Sequence, residues 1–284
     1  MLYTYISSMK ILVPISRIDS DSFALNTAAL IAKHLNAQID VLRIIDAPVD
    51  AVLDRQGSIA ADSDFDVRHY DRLAQEAKDE IVKWAEKNCE RCQAIVKTGL
   101  QVESILSALD EGDYDLVVVA GQLSSGIKEL MQGTLAEKIA LHTTVPVLTV
   151  KSQIHKIESI ALANNFRKAN VPIEDVLRLQ KVFGATLHLV RVNSHKKYMS
   201  EDEVQENMDQ FISVRGLKNV EKHSIEGLSI DAALSEFCDS NEIDILAIGS
   251  KQRSKLTSIM QGCPSRDVIN HLSTPVFTFN YKQK

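Results

Sequence analysis

Two stretches of this chain align without a gap at a constant offset of 129: residues 115–150 (DLVVVAGQLSSGIKELMQGTLAEKIALHTTVPVLTV) and 244–279 (DILAIGSKQRSKLTSIMQGCPSRDVINHLSTPVFTF). Nine of the 36 positions are identical: Asp115/Asp244, Ser125/Ser254, Met131/Met260, Gln132/Gln261, Gly133/Gly262, His142/His271, Pro146/Pro275, Val147/Val276 and Thr149/Thr278. Most of the rest keep apolar opposite apolar, so one fold is built twice. A length of 284 residues gives each copy room for a core of its own. Any site that the fold carries must then occur in two versions, made from different residues.

The first copy opens with KILVPIS (10–16), a short apolar run ending near a proline, which reads as a buried strand of a parallel sheet. A helix follows over 19–37, with apolar residues at helical spacing and Asp19 to Ser22 available to cap it. The pattern continues as a strand at 39–46, a long loop or a short helix plus loop over 47–66, a helix at 67–89, a strand at 93–98 and a helix at 101–113. A strand at 115–120, a helix at 133–143 and a strand at 146–150 complete the copy. The second copy repeats the order: strand 158–164, helix 171–184, strand 186–192, helix 200–215, strand within 220–227, helix 229–241, strands 244–249 and 275–280. Early segments are offset by about 149 and late ones by 129, so the second copy lacks twenty residues, placed in the loop after its second strand. Strand–helix alternation with short apolar strands predicts two α/β domains, 9–150 and 157–284, joined by the linker KSQIHK (151–156). Each is a five-stranded, parallel, doubly wound sheet with a flavodoxin-like reversal of strand order. Ligands of such sheets sit at the carboxyl ends of strands where the order reverses, so the loops after the first and fourth strands of each copy are the ones to inspect.

Composition excludes several classes. A net charge of -6 argues against a general nucleic-acid or anionic-membrane surface. No apolar run approaches a membrane span, and the first residues, MLYTYISSM, lack the basic and apolar regions of a secretory signal, so a cytoplasmic protein is expected. Cys89 and Cys92 form a C-x-x-C without a second such pair or a histidine at ligand spacing, and read as incidental thiols. The eight histidines are dispersed; His142 and His271 are equivalent and suit a bond to a carbonyl near a helix C-terminus, and His188 lies inside a strand near Arg191. No Ser–His–Asp arrangement, metal-ligand set or Walker lysine is visible, and the acids at 19, 21, 62, 64 and 66 read as loop or capping residues.

The helix after strand four opens at Gly133-Thr134 in one copy and Gly262-Cys263 in the other. Free backbone N–H groups and the positive end of a helix dipole suit a phosphate there. The run VPI-S, the fourth strand entering a small-residue loop, MQG-[TC] and the closing [TS]-x-PV-x-T together resemble the universal stress protein family, over nearly the whole chain and twice. The resemblance implies the tandem form of an adenine-nucleotide α-hydrolase-like fold, with ATP or AMP as ligand and no obligatory cofactor. It also implies that the nucleotide-binding members carry an Asp at the end of strand one and a loop G-x2-G-x9-G-[ST] after strand four, and that members without the glycines bind ATP poorly.

Both copies depart from that pattern. In the first, Ser16 stands at the Asp position and Ala120 and Leu123 replace two glycines; only Gly133 and Thr134 match, with Pro14, Ile45 and Val119 as lining and Gly121 as a further binding candidate. In the second, Asn165 stands at the Asp position, Gly249 and Gly262 match, Gln252 and Cys263 replace a glycine and the hydroxyl residue, and Pro264 follows. Ser250 and Lys251 begin its loop, Ala163, Val192 and Ile248 line it, and Lys251, Arg253 and Lys255 supply charge that suits either solvent or phosphate. The second copy therefore keeps more of the nucleotide pattern.

The leading expectation is a non-enzymatic stress-response protein whose halves pack as an intramolecular pseudo-dimer through their fifth strands, with a further homodimer open and no nucleic-acid or membrane partner. A slow nucleotide hydrolase is a second reading; it needs a base and metal ligands that Ser16 and Asn165 do not supply. A sensor of a non-nucleotide small molecule is a third, suggested by Leu123 and the apolar lining.

Overall fold

The structure, a computed structural model, describes residues 9–47, 67–121, 134–167, 171–193, 198–251, 268–269 and 272–281. It divides into two units, Met1–Ala120 and Gly121–Lys284. The repeat boundary and the unit boundary therefore differ: the last helix and strand of the first repeat belong to the second unit.

In the first unit the elements run β1 (Lys10–Ile15), α1 (Ser22–Leu35), β2 (Gln38–Asp46), α2 (Val67–Asn88), β3 (Cys92–Gly99), α3 (Gln101–Glu111) and β4 (Leu116–Ala120). The strands lie in the order β3-β2-β1-β4, all parallel. Ile11, Leu12 and Val13 of β1 are fully buried, as helices on both faces of a parallel sheet require. Helix α1 closes on Asn36 in the left-handed region (φ 52°), whose N–H bonds the carbonyl of Ala32. Asp21 precedes α1 but does not cap it through its side chain. Cys89 and Cys92, expected as incidental thiols, are joined in a disulfide: α2 ends at Asn88, β3 begins at Cys92, and the turn between brings the two Cα atoms to 5.7 Å.

A buried polar cluster anchors this unit. Asp40 on β2, 1% exposed, accepts hydrogen bonds from Gln38 Nε2, Tyr114 Oη and Lys10 Nζ, each at 2.8 Å. The Lys10 ammonium also sits 4.5 Å from the centre of the Tyr114 ring. Burial and the adjacent Asp40 carboxylate raise the Tyr114 pKa.

In the second unit the elements are α4 (Leu135–His142), β5 (Val147–Val150), β6 (Ser159–Ala163), α5 (Glu174–Phe183), β7 (Thr186–Asn193), α6 (Glu201–Arg215), β8 (Val220–Glu226), α7 (Ile230–Ser240), β9 (Ile245–Lys251) and β10 (Val276–Tyr281). Their strand order is β5-β10-β9-β6-β7-β8. Helix α6 begins with a full capping box, Ser200 and Glu203, and ends on Gly216 at φ 60°. Numbered within its repeat, β8-β7-β6-β9-β10 is 3-2-1-4-5, so the strand order reverses between the first and fourth strands. The reversal is the expected one; flavodoxin itself places its strands 2-1-3-4-5.

Register fixes which residues correspond. Ile11 pairs with Ile39 and Leu116, and Ile160 pairs with Leu187 and Ile245. The offsets are therefore 149 at the first strand, 148 at the second and 129 at the fourth, while Cys92 answers to Val220 at 128. The twenty-residue difference falls between the second and third strands, where the sequence placed it. The repeated aspartates act alike. Asp115 accepts from the N–H of Lys10 at 2.8 Å, and Asp244 from the N–H groups of Glu158 and Ser159 at 2.7 and 3.0 Å. Each holds the entry of the first strand beside the fourth.

The fifth strands of the two repeats meet. β5 and β10 pair antiparallel, with Thr149 opposite Val276, Leu148 opposite Phe277 and Val147 opposite Thr278. Equivalent residues thus exchange places about a local two-fold at Leu148 and Phe277, the geometry of an isologous dimer contact made within one chain. Leu148 is fully buried and Phe277 is 2% exposed. Thr278 Oγ1 adds a bond to the carbonyl of Val147 at 3.2 Å.

Candidate functional site

In the second repeat the reversal point lies between the carboxyl ends of β6 and β9. The chain leaves β6 through Asn164 and Asn165, and two successive side-chain turns knit it: Asn164 Oδ1 accepts from the N–H of Phe166 at 2.9 Å, and Asn165 Oδ1 from the N–H of Arg167 at 3.0 Å. Phe166 occupies the left-handed region at φ 52°, which costs a residue with a Cβ about 1 kcal/mol. Its ring is 2% exposed and meets Phe211 of α6 edge-on, with centroids 5.2 Å apart, and this packing offsets that cost. The register makes Asn165 the counterpart of Ser16, as the sequence proposed.

Beneath this turn lies Arg191 of β7, 3% exposed, whose Nη1 donates to the carbonyl of Asn165 at 3.0 Å. Burial and then the neighbouring Arg167 lower its pKa, with Glu203 opposing them. A buried guanidinium thus holds the turn at the reversal point, a residue the sequence mentioned only as a neighbour of His188. Its counterpart Arg43 instead reaches Glu80 on α2 at 2.7 Å, where Glu80 is more than half exposed.

Val192 is half-buried near the end of β7. The sequence paired it with Ile45 as lining, but the register matches it with Ile44 and matches Ile45 with Asn193. Because neighbouring strand residues face opposite sides of a sheet, Ile45 and Val192 cannot line the same position in their two repeats. Gly249 is partly exposed on β9, opposite Phe279. The sequence ends that strand at Gly249 and puts Ser250 and Lys251 in the loop; the structure continues β9 through both, opposite Asn280 and Tyr281. Gln252, Gly262 and Cys263 lie outside the described residues, as do Gly133 and Leu123 of the first repeat.

The first repeat uses its corresponding groups differently. Ser16 is exposed, and its N–H donates to Asp21 Oδ2 at 2.6 Å, with the N–H of Arg17 on the same oxygen at 3.1 Å. The carboxylate nearest the family's Asp position is thus taken up by the backbone of its own loop. Gly121 is a packing residue: its N–H bonds the carbonyl of Val150 at 2.7 Å, and a Cβ there would stand 2.6 Å from Thr149 Cγ2. Thr134 caps α4, its Oγ1 accepting from the N–H of Glu137 at 3.3 Å. His142 Nδ1 lies 2.8 Å from the carbonyl of Lys138 in the last turn of that helix, the structural role its repetition suggested. Beyond Ser16 opens a cleft of about 390 Å³, lined by Arg17, Ile18 and Asp19 with Lys83, Trp84 and Lys87 of α2. Cys238, in the second unit, is buried and its thiol is pushed up to about 12 by burial, which leaves it inert as a nucleophile.

Among proteins of known sequence, the chain is 28% identical over 149 residues to the universal stress protein YxiE of Bacillus subtilis (strain 168), spanning 50% of this chain and 98% of that protein. It is 25% identical over 142 residues to the universal stress protein MJ0531 of Methanocaldococcus jannaschii, spanning 50% and 81%. A solved structure of a universal stress protein from Archaeoglobus fulgidus DSM 4304 is similar over 96% of both chains, with a TM-score of 0.73 at 20% identity. A putative universal stress protein from Pseudomonas aeruginosa UCBPP-PA14 is similar over 96% of this chain and 94% of its own, with a TM-score of 0.64 at 19% identity. The profile of the universal stress protein family itself matches twice, at residues 8–151 and 167–279. With one match on each copy of the repeat, the chain belongs to the universal stress protein family, in its tandem form.

Proposed function

We propose that this chain is a non-enzymatic stress-response protein whose second repeat binds ATP or AMP weakly, between the carboxyl ends of β6 and β9. The observation that carries the reading is the contrast between the two reversal points. In the second, the exposed Arg167 stands at the exit of β6 on a turn that the buried Arg191 holds, and Gly249 keeps the approach along β9 free of a side chain. In the first, the Asp21 carboxylate is committed to backbone N–H groups and Gly121 is packed against Thr149. Asn165 and Ser16 offer neither a base nor a strong ligand for Mg²⁺, which supports binding without hydrolysis. The net charge of -6 supports a protein without a nucleic-acid partner, and no helix among the described residues is long and apolar enough to cross a membrane.

Calorimetric titration with ATP and AMP, with and without Mg²⁺, tests this. Heat of binding that Gly249→Val removes and Gly133→Val leaves in place supports the reading, together with no release of phosphate over hours. Binding that survives Gly249→Val overturns it. The cleft beside Ser16 favours a second reading, a small-molecule site in the first repeat; quenching of Trp84, the single tryptophan, by a ligand that Gly249→Val does not affect would support it.

A further inference from the structure

A second chemistry is assembled at the other end of the same sheet. His188 stands on β7 opposite Glu221 of β8, and His223 follows two residues after Glu221. The period of two along a strand puts all three side chains on one face. His188 Nδ1 lies 3.0 Å from His223 Nε2 and 3.5 Å from Glu221 Oε2, and His223 Nε2 lies 3.7 Å from the same Glu221 oxygen. Four ligands at 2.0–2.1 Å from a tetrahedral Zn²⁺ are about 3.3 Å from one another. The three observed separations bracket that edge, and the atoms that converge are the three that would ligate.

We propose that His188, Glu221 and His223 form a divalent-cation site of the Zn²⁺ class, with three protein ligands and a fourth position open to water. His188 is 8% exposed, and Phe237 of α7 packs edge-on against both imidazoles at centroid distances of 6.4 and 4.8 Å, which fixes the rings. Glu221 is more than half exposed and gives the cation a route in. Burial holds both imidazoles below their ordinary pKa, and neutral imidazole is the form that binds metal.

The first repeat supplies the contrast. Its counterparts of His188, Glu221 and His223 are Asp40, Gln93 and Ile95. There the buried Asp40 already has an internal cation, Lys10, and a donor, Tyr114. The second repeat has Ser159 and Ile243 in their places, so the built-in ammonium is gone at the position where the imidazoles appear. A buried polar position that one repeat neutralises with a lysine is, in the other, provided with ligands for an external cation. The site lies four residues before Val192 along β7, about 13 Å at the rise of a strand, and is separate from the proposed nucleotide site.

The test uses tag-free, chelator-treated full-length protein titrated with Zn²⁺ by calorimetry and with Co²⁺ by visible absorption. Uptake of one equivalent, with the intense d–d bands of tetrahedral Co²⁺, is expected. His223→Asn is expected to weaken Zn²⁺ at least about 100-fold and Glu221→Gln about 10-fold. Glu221 is exposed, so its variant keeps the fold and separates loss of a ligand from loss of structure. A Cys89→Ser/Cys92→Ser variant, which removes the two sulfurs that reduction of the disulfide would free as thiolates, is expected to bind unchanged. No stoichiometric uptake, or uptake indifferent to both Glu221→Gln and His223→Asn, would overturn the proposal; neither result bears on nucleotide binding.

Discussion

Replacing Asp40 should show how the first unit depends on one buried charge. Its carboxylate is 1% exposed and accepts three bonds of 2.8 Å, one from the Lys10 ammonium. A bond to a charged group contributes about 1.5–3 kcal/mol, and a neutral one about 1 kcal/mol. Asp40→Ala removes all three and leaves Lys10 and Tyr114 facing a pocket without an acceptor. The Lys10 side chain is 32% exposed and can turn to water, which limits the damage. The expected cost is about 3–5 kcal/mol, the range for breaking a buried ion pair from one side. Lys10→Met/Asp40→Leu, which removes both charges and fills the volume but still leaves the Tyr114 hydroxyl without its acceptor, should cost less than Asp40→Ala alone. Urea unfolding followed by the fluorescence of Trp84, which lies on α2 of the same unit, reads both values. A loss below about 1 kcal/mol for Asp40→Ala, or a double variant less stable than it, would refute the reasoning.

Phe277→Ala at the two-fold of the β5–β10 pair should cost about 3–5 kcal/mol in the second unit, and combined with Leu148→Ala the losses should fall short of their sum by more than about 0.5 kcal/mol; additive losses would show that the two side chains do not support each other. Lys151, whose ammonium donates to the carbonyl of Leu272 at 2.7 Å, is pushed down to about 8 by burial. Between pH 8 and 10.5 the unfolded chain therefore holds a proton that the folded one has released, and stability of the second unit should rise with pH across that window; Lys151→Met should flatten the rise in denaturant midpoints measured at each pH. Tyr114 has the opposite sign: its raised pKa stabilises the first unit below pH 10 and that contribution is lost as pH climbs through the folded value, so Tyr114→Phe should remove an alkaline fall in stability.

The order of the elements was legible because two copies of one pattern constrain each other, and most predicted boundaries lie within about two residues of the observed ones. The Ser16 and Asn165 positions could also be placed, since the first strand carries a constant offset. Ile45 and Val192 were mismatched because they stand 147 residues apart where the register of the second strands requires 148, and a slip of one residue turns a side chain to the other face. His188 and His223 are 35 residues apart, and only the register of β7 against β8 brings them together. Arg191 at the reversal point looked like an ordinary charged strand residue, because its burial depends on the turn folded over it. The Cys89–Cys92 pair had the spacing of a bridge in plain view, yet a C-x-x-C fits thiols, metal and disulfide alike until the helix-to-strand turn is known.

The pairing of Leu148 with Phe277 has a consequence for what duplication permits. In a dimer of identical chains, the residue on an antiparallel two-fold must face its own copy, so the seam can hold only pairs such as Leu against Leu or Phe against Phe. Here the two partners are encoded separately, and the axis holds a medium side chain against a large one. Volume can be divided unevenly there without either strand giving up its register. The same freedom extends to every other position: a substitution made in one repeat is not imposed on the other, so one reversal point can keep a glycine and an arginine while its twin settles into ordinary packing.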